Sequence, residues 1–479
     1  MEDQEFERNE QMLEARRLKR LEQKRRRQMQ QRIVLGVLAV ILILVTVLIV
    51  RGCKSGKAGQ EDAVQKPAQS DTQDNTPKEP ADEPDTVVTL AAVGDIMVYD
   101  EQIDAAKQSD GSYDFSTCFS AVSALTMGAD LTVGNLELNF CGEPYSGRPN
   151  FRAPESLALA LKEKGFDLVQ TANTYSIQNG VSGLKSTIKY LNTVGIDHVG
   201  TYVAQDDKNT NEGVLLKNVN GIKIAFIGYT KGVNNEKLPE GSEFCVDLLY
   251  QDYWTEYTEI NTDGIVKSVK AAKALDPDVI VAMLHWGSVN SDEISKTQTQ
   301  IVDLMQKNGV DVIIGSHPHL LQKIELNEKT GKLVAYSLGD FYGDAQLGGS
   351  NYSVILDIEI TKDADLKTTK VTNFSYIPIY TEKETECDGY RRVVRIEQAM
   401  YAYENNYVDK VTADSYTAMQ KAMKRIPERI TGTKADSTTT STTAATTEAA
   451  TEATTEETTE ETTEETTAET TAAVTDATA

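Results

Sequence analysis

The chain has 479 residues, an ordinary hydrophobic content of 40% and a formal net charge of −25. This acidic balance argues against nucleic acid as a partner, and the hydrophobic content is sufficient for a packed core. The five cysteines are widely spaced without a CxxC pair, which argues against a zinc–thiolate site and leaves open a Cys118–Cys141 disulfide or isolated buried thiols.

The N-terminal part of the chain predicts a membrane anchor. Residues 1–32 form a charged segment with a basic cluster between Arg16 and Arg27, and residues 33–50 form the uncharged apolar run IVLGVLAVILILVTVLIV. A helix of about 20 apolar residues spans a bilayer, and the positive-inside rule places the basic flank in the cytoplasm. We therefore expect a single-pass cell-membrane protein with residues 1–32 in the cytoplasm and the later domain outside. A cleaved signal peptide is the alternative, but the polar segment before the apolar run is too long for one.

Two further segments predict disorder. Residues 51–86 are rich in Gln, Asp, Glu, Lys, Ala and Pro and contain almost no large apolar residues, so they cannot bury enough surface to offset chain entropy. Residues 431–479 form a low-complexity, Thr/Glu-rich tail. A glycosylated or wall-embedded stalk is an alternative interpretation of the tail.

The segment between them, residues 87–430, predicts an α/β domain. Its strand candidates are TVVTLAAVGD, ADLTVGNLE, FDLVQTAN, IKIAFIGYT, DVIVAMLHWG and VDVIIGSHPH. Helical candidates such as SLALALKEKG, SGLKSTIKYLNTVG and TQTQIVDLMQKNG lie between them, and several end in glycine. Short apolar strands that alternate with helices are typical of α/β proteins with much parallel pairing.

Polar residues whose side chains can bind metal ions or take part in catalysis follow these strands. They are Asp95, Asn135, Glu137, Asn173, His285, His317 and His319. Ligand crevices of open α/β sheets lie at the carboxyl ends of the strands, and carboxylate, amide and imidazole groups suit Mn, Fe or Zn. Residues i and i+2 of an extended segment point to the same side, so GSHPH could aim both imidazoles at one centre. His198 lacks this setting, and we expect it to be structural.

The same residues fall in motifs that resemble the CapA family, named for poly-γ-glutamate capsule synthesis. In chain order the motifs are GDIM (94–97), GNLE (134–137), FRAPE (151–155), HWG (285–287), GSHPH (315–319) with Gln322, and YSLGDF (336–341). The resemblance covers about residues 87–380 and implies a calcineurin-like metallophosphatase αββα sandwich. It also implies a two-metal site at the strand ends. We expect two divalent ions (Mn, Fe or Zn) there, with one ion or none as the alternatives. Its implied ligands are Asp95, Asn135, Glu137, His285, His317 and His319.

The chain departs from the family pattern at ANTYSIQNG (172–180), where relatives have a stretch like ANNHxxDxG. Thr174 replaces the second asparagine and Tyr175 replaces the histidine. Tyrosine, with a reference pKa of about 10, is a poorer acid at neutral pH but can donate a hydrogen bond to an oxyanion. Tyr175 and Asn173 are therefore the candidate catalytic residues. Asp340 stands where asparagine is more usual, and either adds charge to the site or pairs locally.

Three functions remain open on these grounds. The first is a metal-dependent hydrolase or transferase that serves synthesis or export of a capsule polymer (poly-γ-glutamate or polysaccharide) and acts on an anionic cell-envelope polymer or a phosphorylated precursor. The second is a non-catalytic module that binds such a polymer or an assembly partner, for example a capsule-synthesis membrane protein. The third is a structural surface protein whose tail matters most. The identities of the polymer and of the metal are not readable from the sequence.

Overall fold

The computed structural model describes residues 85–343, 348–382, 391–407 and 411–433. The predicted cytoplasmic segment and membrane helix lie outside these residues. So do the predicted linker up to residue 84 and the tail from residue 434. Among the helices within the described ranges, none combines the length and the hydropathy that a bilayer crossing requires.

The strands form two mixed sheets. The first sheet contains, in chain order, β1 (Thr86–Ile96), β2 (Leu131–Leu136), β3 (Leu168–Gln170), β4 (Asp197–Val199), β11 (Asp340–Tyr342), β12 (Tyr352–Lys362), β13 (Thr369–Thr381) and β14 (Val393–Arg395). The second contains β5 (Leu215–Val219), β6 (Ile222–Thr230), β7 (Val279–His285), β8 (Val312–Ser316), β9 (Ile324–Asn327) and β10 (Lys332–Ala335).

Parallel pairing occupies the centre of each sheet. In the first sheet β1, β2, β3 and β4 are parallel neighbours, β11 runs parallel to the end of β1, and β12 begins an antiparallel extension through β13 to β14. In the second sheet β6, β7, β8 and β10 are parallel, and antiparallel β5 and β9 form the edges. The predicted α/β class with parallel pairing is confirmed.

The helices lie mostly in the connections between strands. They are α1 (Asp100–Ala106), α2 (Ser123–Thr126), α3 (Ser156–Glu163), α4 (Gly180–Val194), α5 (Gln205–Asn209), α6 (Thr262–Ala274), α7 (Lys296–Asn308), α8 (Ile396–Glu404) and α9 (Ala413–Thr431). Short 3-10 turns occur at Thr210–Gly213 and Glu243–Cys245. The helices predicted from SLALALKEKG, SGLKSTIKYLNTVG and TQTQIVDLMQKNG correspond to α3, α4 and α7.

The two sheets lie face to face, with helices on their outer faces. One apolar core lies between the sheets, and two more lie between each sheet and its helices. Alternate side chains of β1 and β7, such as Leu90 and Val281, enter a core between the sheets. The intervening side chains of β1 pack with α3 and α4, and those of β7 pack with α6 and α7. This helix–sheet–sheet–helix order explains why the central strands are apolar on both faces. Cys118, Cys141 and Cys245 are free thiols, so the Cys118–Cys141 disulfide is not formed.

A close backbone approach joins the end of β1 to the segment before β11. The main-chain nitrogen of Asp95 donates to the carbonyl oxygen of Gly339, 2.9 Å away. A Cβ atom on Gly94 would lie 1.8 Å from that same oxygen. Position 94 therefore requires glycine, because any side chain would separate the end of β1 from the segment before β11. Both segments lead to the edge of the sheets where the strands end.

Substitution of Gly94 by alanine should destabilise the fold. We expect Gly94→Ala to lower the free energy of unfolding by about 2 kcal/mol or more, because backbone atoms on both sides must move. Thermal melting with circular dichroism measures this change. Gly348→Ala is the matched control, since nothing lies within 4 Å of the Cβ position there. Equal melting temperatures for the two variants would show that the close approach does not constrain the fold.

Candidate metal centre

The seven polar residues predicted at strand ends converge at one edge of the two sheets. Asp95 lies in β1 and Asn135 in β2, Glu137 and Asn173 follow β2 and β3, and His285 ends β7. His317 and His319 follow β8. Six of the seven are at most 6% exposed, and the His319 side chain is 12% exposed. Their convergence follows from the parallel strands, whose carboxyl ends meet at the same edge.

Glu137, His285 and His317 form a first trio whose ligand atoms all lie within 4.8 Å of one another. Glu137 Oε1 and His285 Nε2 are 3.1 Å apart, yet neither atom makes a hydrogen bond within the described part of the chain. Both atoms are fully buried. Such a pair is costly in a dry interior unless a cation or a proton lies between the two atoms.

The hydrogen bonds of Thr230 favour a proton on Nδ1 of His285, which leaves Nε2 free. The Thr230 hydroxyl donates its proton to the carbonyl oxygen of Gly232, 2.9 Å away. The Thr230 hydroxyl oxygen lies 3.3 Å from His285 Nδ1 and can accept a hydrogen bond from a proton on that nitrogen. With Nδ1 protonated, Nε2 presents a lone pair toward Glu137, as a metal-ligating imidazole does.

Asp95, His319 and Asp340 form a second trio with the same 4.8 Å limit between ligand atoms. His319 Nδ1 lies 2.7 Å from Asp340 Oδ1 and 3.4 Å from Asp95 Oδ2. Asp340 reaches this position because β11 pairs in parallel with the end of β1, with Asp340 opposite Asp95. Asp340 therefore pairs with a nearby histidine and also adds charge to the site.

The histidines of the two trios have pKa values shifted in opposite directions. Burial, reinforced by His285, Lys231 and His319, holds the pKa of His317 well below its ordinary value. Burial also acts to lower the pKa of His319, but the Asp340 and Asp95 carboxylates outweigh it and raise that pKa well above its ordinary value. Burial raises the pKa of Asp340 to about 7 against the opposing effect of His319. His317 thus offers a free lone pair, whereas a cation at the second trio must displace a proton from His319.

Asn135 connects the acidic residues of both trios. Its side-chain nitrogen donates to Asp95 Oδ1 at 2.7 Å and to Glu137 Oε2 at 3.3 Å. Its side-chain oxygen accepts from Asn173 Nδ2 at 3.2 Å. In this structure Asn135 holds two carboxylates in place, and its predicted role as a ligand stays a prediction.

The loop from Asn173 to Tyr175 borders the first trio. Asn173 donates to the carbonyl oxygen of Leu136 at 2.7 Å and accepts from the main-chain nitrogen of Tyr175 at 3.1 Å. Thr174 Oγ1 lies 3.5 Å from His317 Nδ1, so the residue that replaces the expected asparagine does reach the site. The Tyr175 ring is half-buried against Phe151, with ring centroids 4.3 Å apart.

Burial and then the charge of Glu137 raise the pKa of Tyr175, although Arg148 and His319 act in the opposite direction. The phenol therefore keeps its proton at neutral pH. Tyr175 is suited to donate a hydrogen bond and poorly suited to transfer a proton.

The predicted extended backbone at GSHPH is wrong. His317 has φ 98° and His319 has φ 57°, both in the left-handed region. The two rings consequently enter different trios, with centroids 6.3 Å apart, whereas His285 and His317 are 4.4 Å apart. His198, on β4, belongs to neither trio.

Sequence reasoning missed Thr230 and left the role of Asp340 undecided. A threonine at the end of an apolar strand has no distinguishing pattern. Its role depends on its register opposite His285 in the pairing of β6 with β7. Gln322, part of the GSHPH motif, lies outside both trios and donates to the carbonyl oxygens of Ser291 and Glu293.

Removal of the Thr230 hydroxyl should weaken cation binding at the first trio. We expect Thr230→Val to raise the Kd for Mn²⁺ or Zn²⁺ by about 10- to 100-fold, because His285 loses the partner that orients it. Thr230→Ser keeps the hydroxyl and should bind within a few-fold of the wild type. Isothermal titration of the metal-stripped chain measures both constants. Equal affinities for the valine and serine variants would contradict the assigned role.

Comparison with solved structures finds chains that are similar at low sequence identity. A novel phosphatase from Mycoplasma pneumoniae aligns over 63% of this chain and 96% of its own, with a TM-score of 0.37 and 12% identity. A 5'-nucleotidase precursor from Thermus thermophilus aligns over 72% of this chain and 59% of its own, with a TM-score of 0.38 and 13% identity.

Comparison with known sequences finds capsule proteins. The capsule biosynthesis protein CapA of Bacillus anthracis is 27% identical over 268 residues, which are 54% of this chain and 60% of that protein. The PGA biosynthesis protein CapA of Bacillus subtilis (strain 168) is 27% identical over 294 residues, 58% of this chain and 69% of that protein. The chain thus spans less than two thirds of the length of the Bacillus anthracis relative. The model of the bacterial capsule synthesis protein family PGA_cap matches residues 89–345, more than half of the chain and every residue of both trios. The chain belongs to the PGA_cap family of bacterial capsule synthesis proteins.

Proposed function

We propose that this chain is a membrane-anchored, divalent-cation-dependent hydrolase or transferase of capsule assembly. Its substrate is an anionic cell-envelope polymer or a phosphorylated precursor of one. Membership of the capsule synthesis family supports the biological setting. The two-sheet sandwich with a strand-end site supports the relation to calcineurin-like phosphoesterases that the sequence motifs imply.

The proposal depends most on the contact between Glu137 Oε1 and His285 Nε2. The Thr230 network leaves a lone pair on the imidazole nitrogen, and a carboxylate oxygen also carries lone pairs. Two such atoms 3.1 Å apart repel each other unless a cation or a proton lies between them. Carboxylate and imidazole ligands favour Mn, Fe or Zn.

Each trio offers the ligands for one cation. Glu137, His285 and His317 would hold one cation, and Asp95, His319 and Asp340 a second. Bound cations of this kind activate water and neutralise charge that develops on a phosphoryl or carboxyl centre. Tyr175 donates a hydrogen bond to a developing oxyanion, and Asn173 positions Tyr175 through its bond to the main-chain nitrogen.

The apolar run at residues 33–50 supports the membrane location. It is long enough to anchor the chain, and the basic cluster before it favours a cytoplasmic N-terminus. The domain with the two trios would then face the outside of the cell, where capsule polymer accumulates. Membrane proteins of capsule synthesis are the expected partners at this location.

A non-catalytic binding module is the second candidate. The sequence of the loop from 172 to 180 favours it, because Tyr175 stands where the family pattern has a titratable histidine. Burial raises the pKa of Tyr175, so it is a weak acid. Such a protein would keep the fold and bind the polymer or an assembly partner without turnover.

Metal content and turnover together separate the two candidates. The full chain is purified in the presence of Mn²⁺ or Zn²⁺, its metal is counted by mass spectrometry, and a chromogenic phosphodiester is supplied. Two ions per chain with turnover support the enzyme. One ion or none, without turnover, supports the binding module.

Loss of His317 should remove at least one bound ion per chain. His317→Ala leaves the first trio with two ligands, too few to hold a cation tightly. His198→Ala is the matched control, because this half-buried histidine belongs to neither trio. Unchanged metal content in His317→Ala, measured on chains with native circular dichroism, would contradict the ligand assignment.

Substitutions at Tyr175 should move turnover in opposite directions. Tyr175→Phe removes the hydroxyl and keeps the ring against Phe151, so we expect kcat to fall about 10-fold or more. Tyr175→His introduces an acid with a pKa of about 6.5, so we expect kcat to rise about 10-fold or more near neutral pH. Steady-state rates with the phosphodiester test both variants. A kcat unaffected by either change would exclude Tyr175 from the reaction.

A further inference from the structure

Lys231 lies directly beside the first trio. It follows the last residue of β6, and its main-chain nitrogen donates to the carbonyl oxygen of His285 at 2.7 Å. Its ammonium group donates to the carbonyl oxygen of Gly287 at 2.9 Å. The same group lies 4.5 Å from the centroid of the Tyr257 ring. A carbonyl and an aromatic face thus fix the position of the charge without neutralising it.

No carboxylate balances this charge within the residues that the structure describes. Lys208, by comparison, is paired with Asp247 at 2.5 Å. Lys231 is half-buried, and burial lowers its pKa. A half-buried ammonium group without a counter-ion is unfavourable for folding alone, so its presence next to the first trio points to a functional role.

The ammonium group of Lys231 is held against the part of the chain that follows His285, a member of the first trio. The carbonyl oxygen to which it donates belongs to Gly287, two residues after His285. An ammonium group retains free N–H donors after one bond to a carbonyl, because it has three. Two divalent cations at the trios would outweigh the three carboxylates, so the ligand that completes this environment is an anion.

We infer that Lys231 binds a phosphate group of the substrate held at the metal centre. This inference rests on the proposed function and makes it more specific, since it selects the phosphate-bearing substrate over a purely carboxylate polymer. A lysine recognises phosphate as a point charge with several donors. Gly287 and Tyr257 keep that charge in position before the ligand arrives, which reduces the ordering cost of binding.

The test uses the full chain loaded with Mn²⁺ and measures the Kd for inorganic phosphate by calorimetry. We expect Lys231→Gln to raise this Kd about 10-fold or more and Lys231→Arg to retain affinity within a few-fold. Lys237→Gln is the matched control. Lys237 lies 4.2 Å from the Trp254 ring in the same loop region but is exposed, and its substitution should change the Kd less than twofold. Acetate, as the carboxylate probe, should bind more weakly than phosphate.

Stability and metal content distinguish the possible outcomes. If Lys231 binds substrate, Lys231→Gln should melt at or above the wild-type temperature with its metal retained. A lower melting temperature with unchanged phosphate affinity would overturn the inference and make Lys231 structural. Tighter binding of acetate than of phosphate would also overturn it. Phosphate binding that requires Lys231 in a chain that takes up no metal would support Lys231 and contradict the metal centre. A chain that binds neither metal nor phosphate would contradict both.

Discussion

The buried carboxylate of Asp95 joins the two sheets at the edge where the site is formed. One of its oxygens accepts from Asn135 in the first sheet at 2.7 Å. The other accepts from the main-chain nitrogen of His317, which follows a strand of the second sheet, at 3.2 Å. Because Asp95 is fully buried, no solvent can replace these bonds, and the group that aligns the sheets is also a candidate ligand. The atoms that hold the two sheets together at this edge are therefore the same atoms that would bind a cation.

The concentration of charge around Asp95 is what distinguishes this edge from an ordinary sandwich core. Three carboxylates and three imidazoles lie in two adjoining trios, nearly all of them buried. Protein interiors tolerate such groups when they are paired or bind cations. Here His319 and Asp340 pair with each other, whereas Glu137 and His285 meet without a hydrogen bond. The first trio is thus the less satisfied of the two.

Local patterns in the sequence were sufficient to locate most of this edge. Apolar runs mark the strands, and the polar residues after them, from Asp95 to His319, do converge because parallel strands end at a common edge. The same patterns gave three helices close to their observed positions. They did not reveal the long antiparallel pair of β12 and β13, whose partners are recognisable only once the sheet exists. They also gave no sign of Thr230 or Lys231, whose roles depend on the register of β6 against β7. The backbone at His317 was mispredicted because a positive φ is normally found at glycine or asparagine.

That backbone conformation has an energetic consequence for the residues that form the trios. A residue with a side chain in the left-handed region costs about 1–3 kcal/mol relative to a relaxed position. Both His317 and His319 adopt it. Glycine at either position would adopt the same conformation at little cost, but it would bring no imidazole to a trio. The backbone strain at residues 317 and 319 is therefore coupled to the placement of both rings at this edge of the sheets.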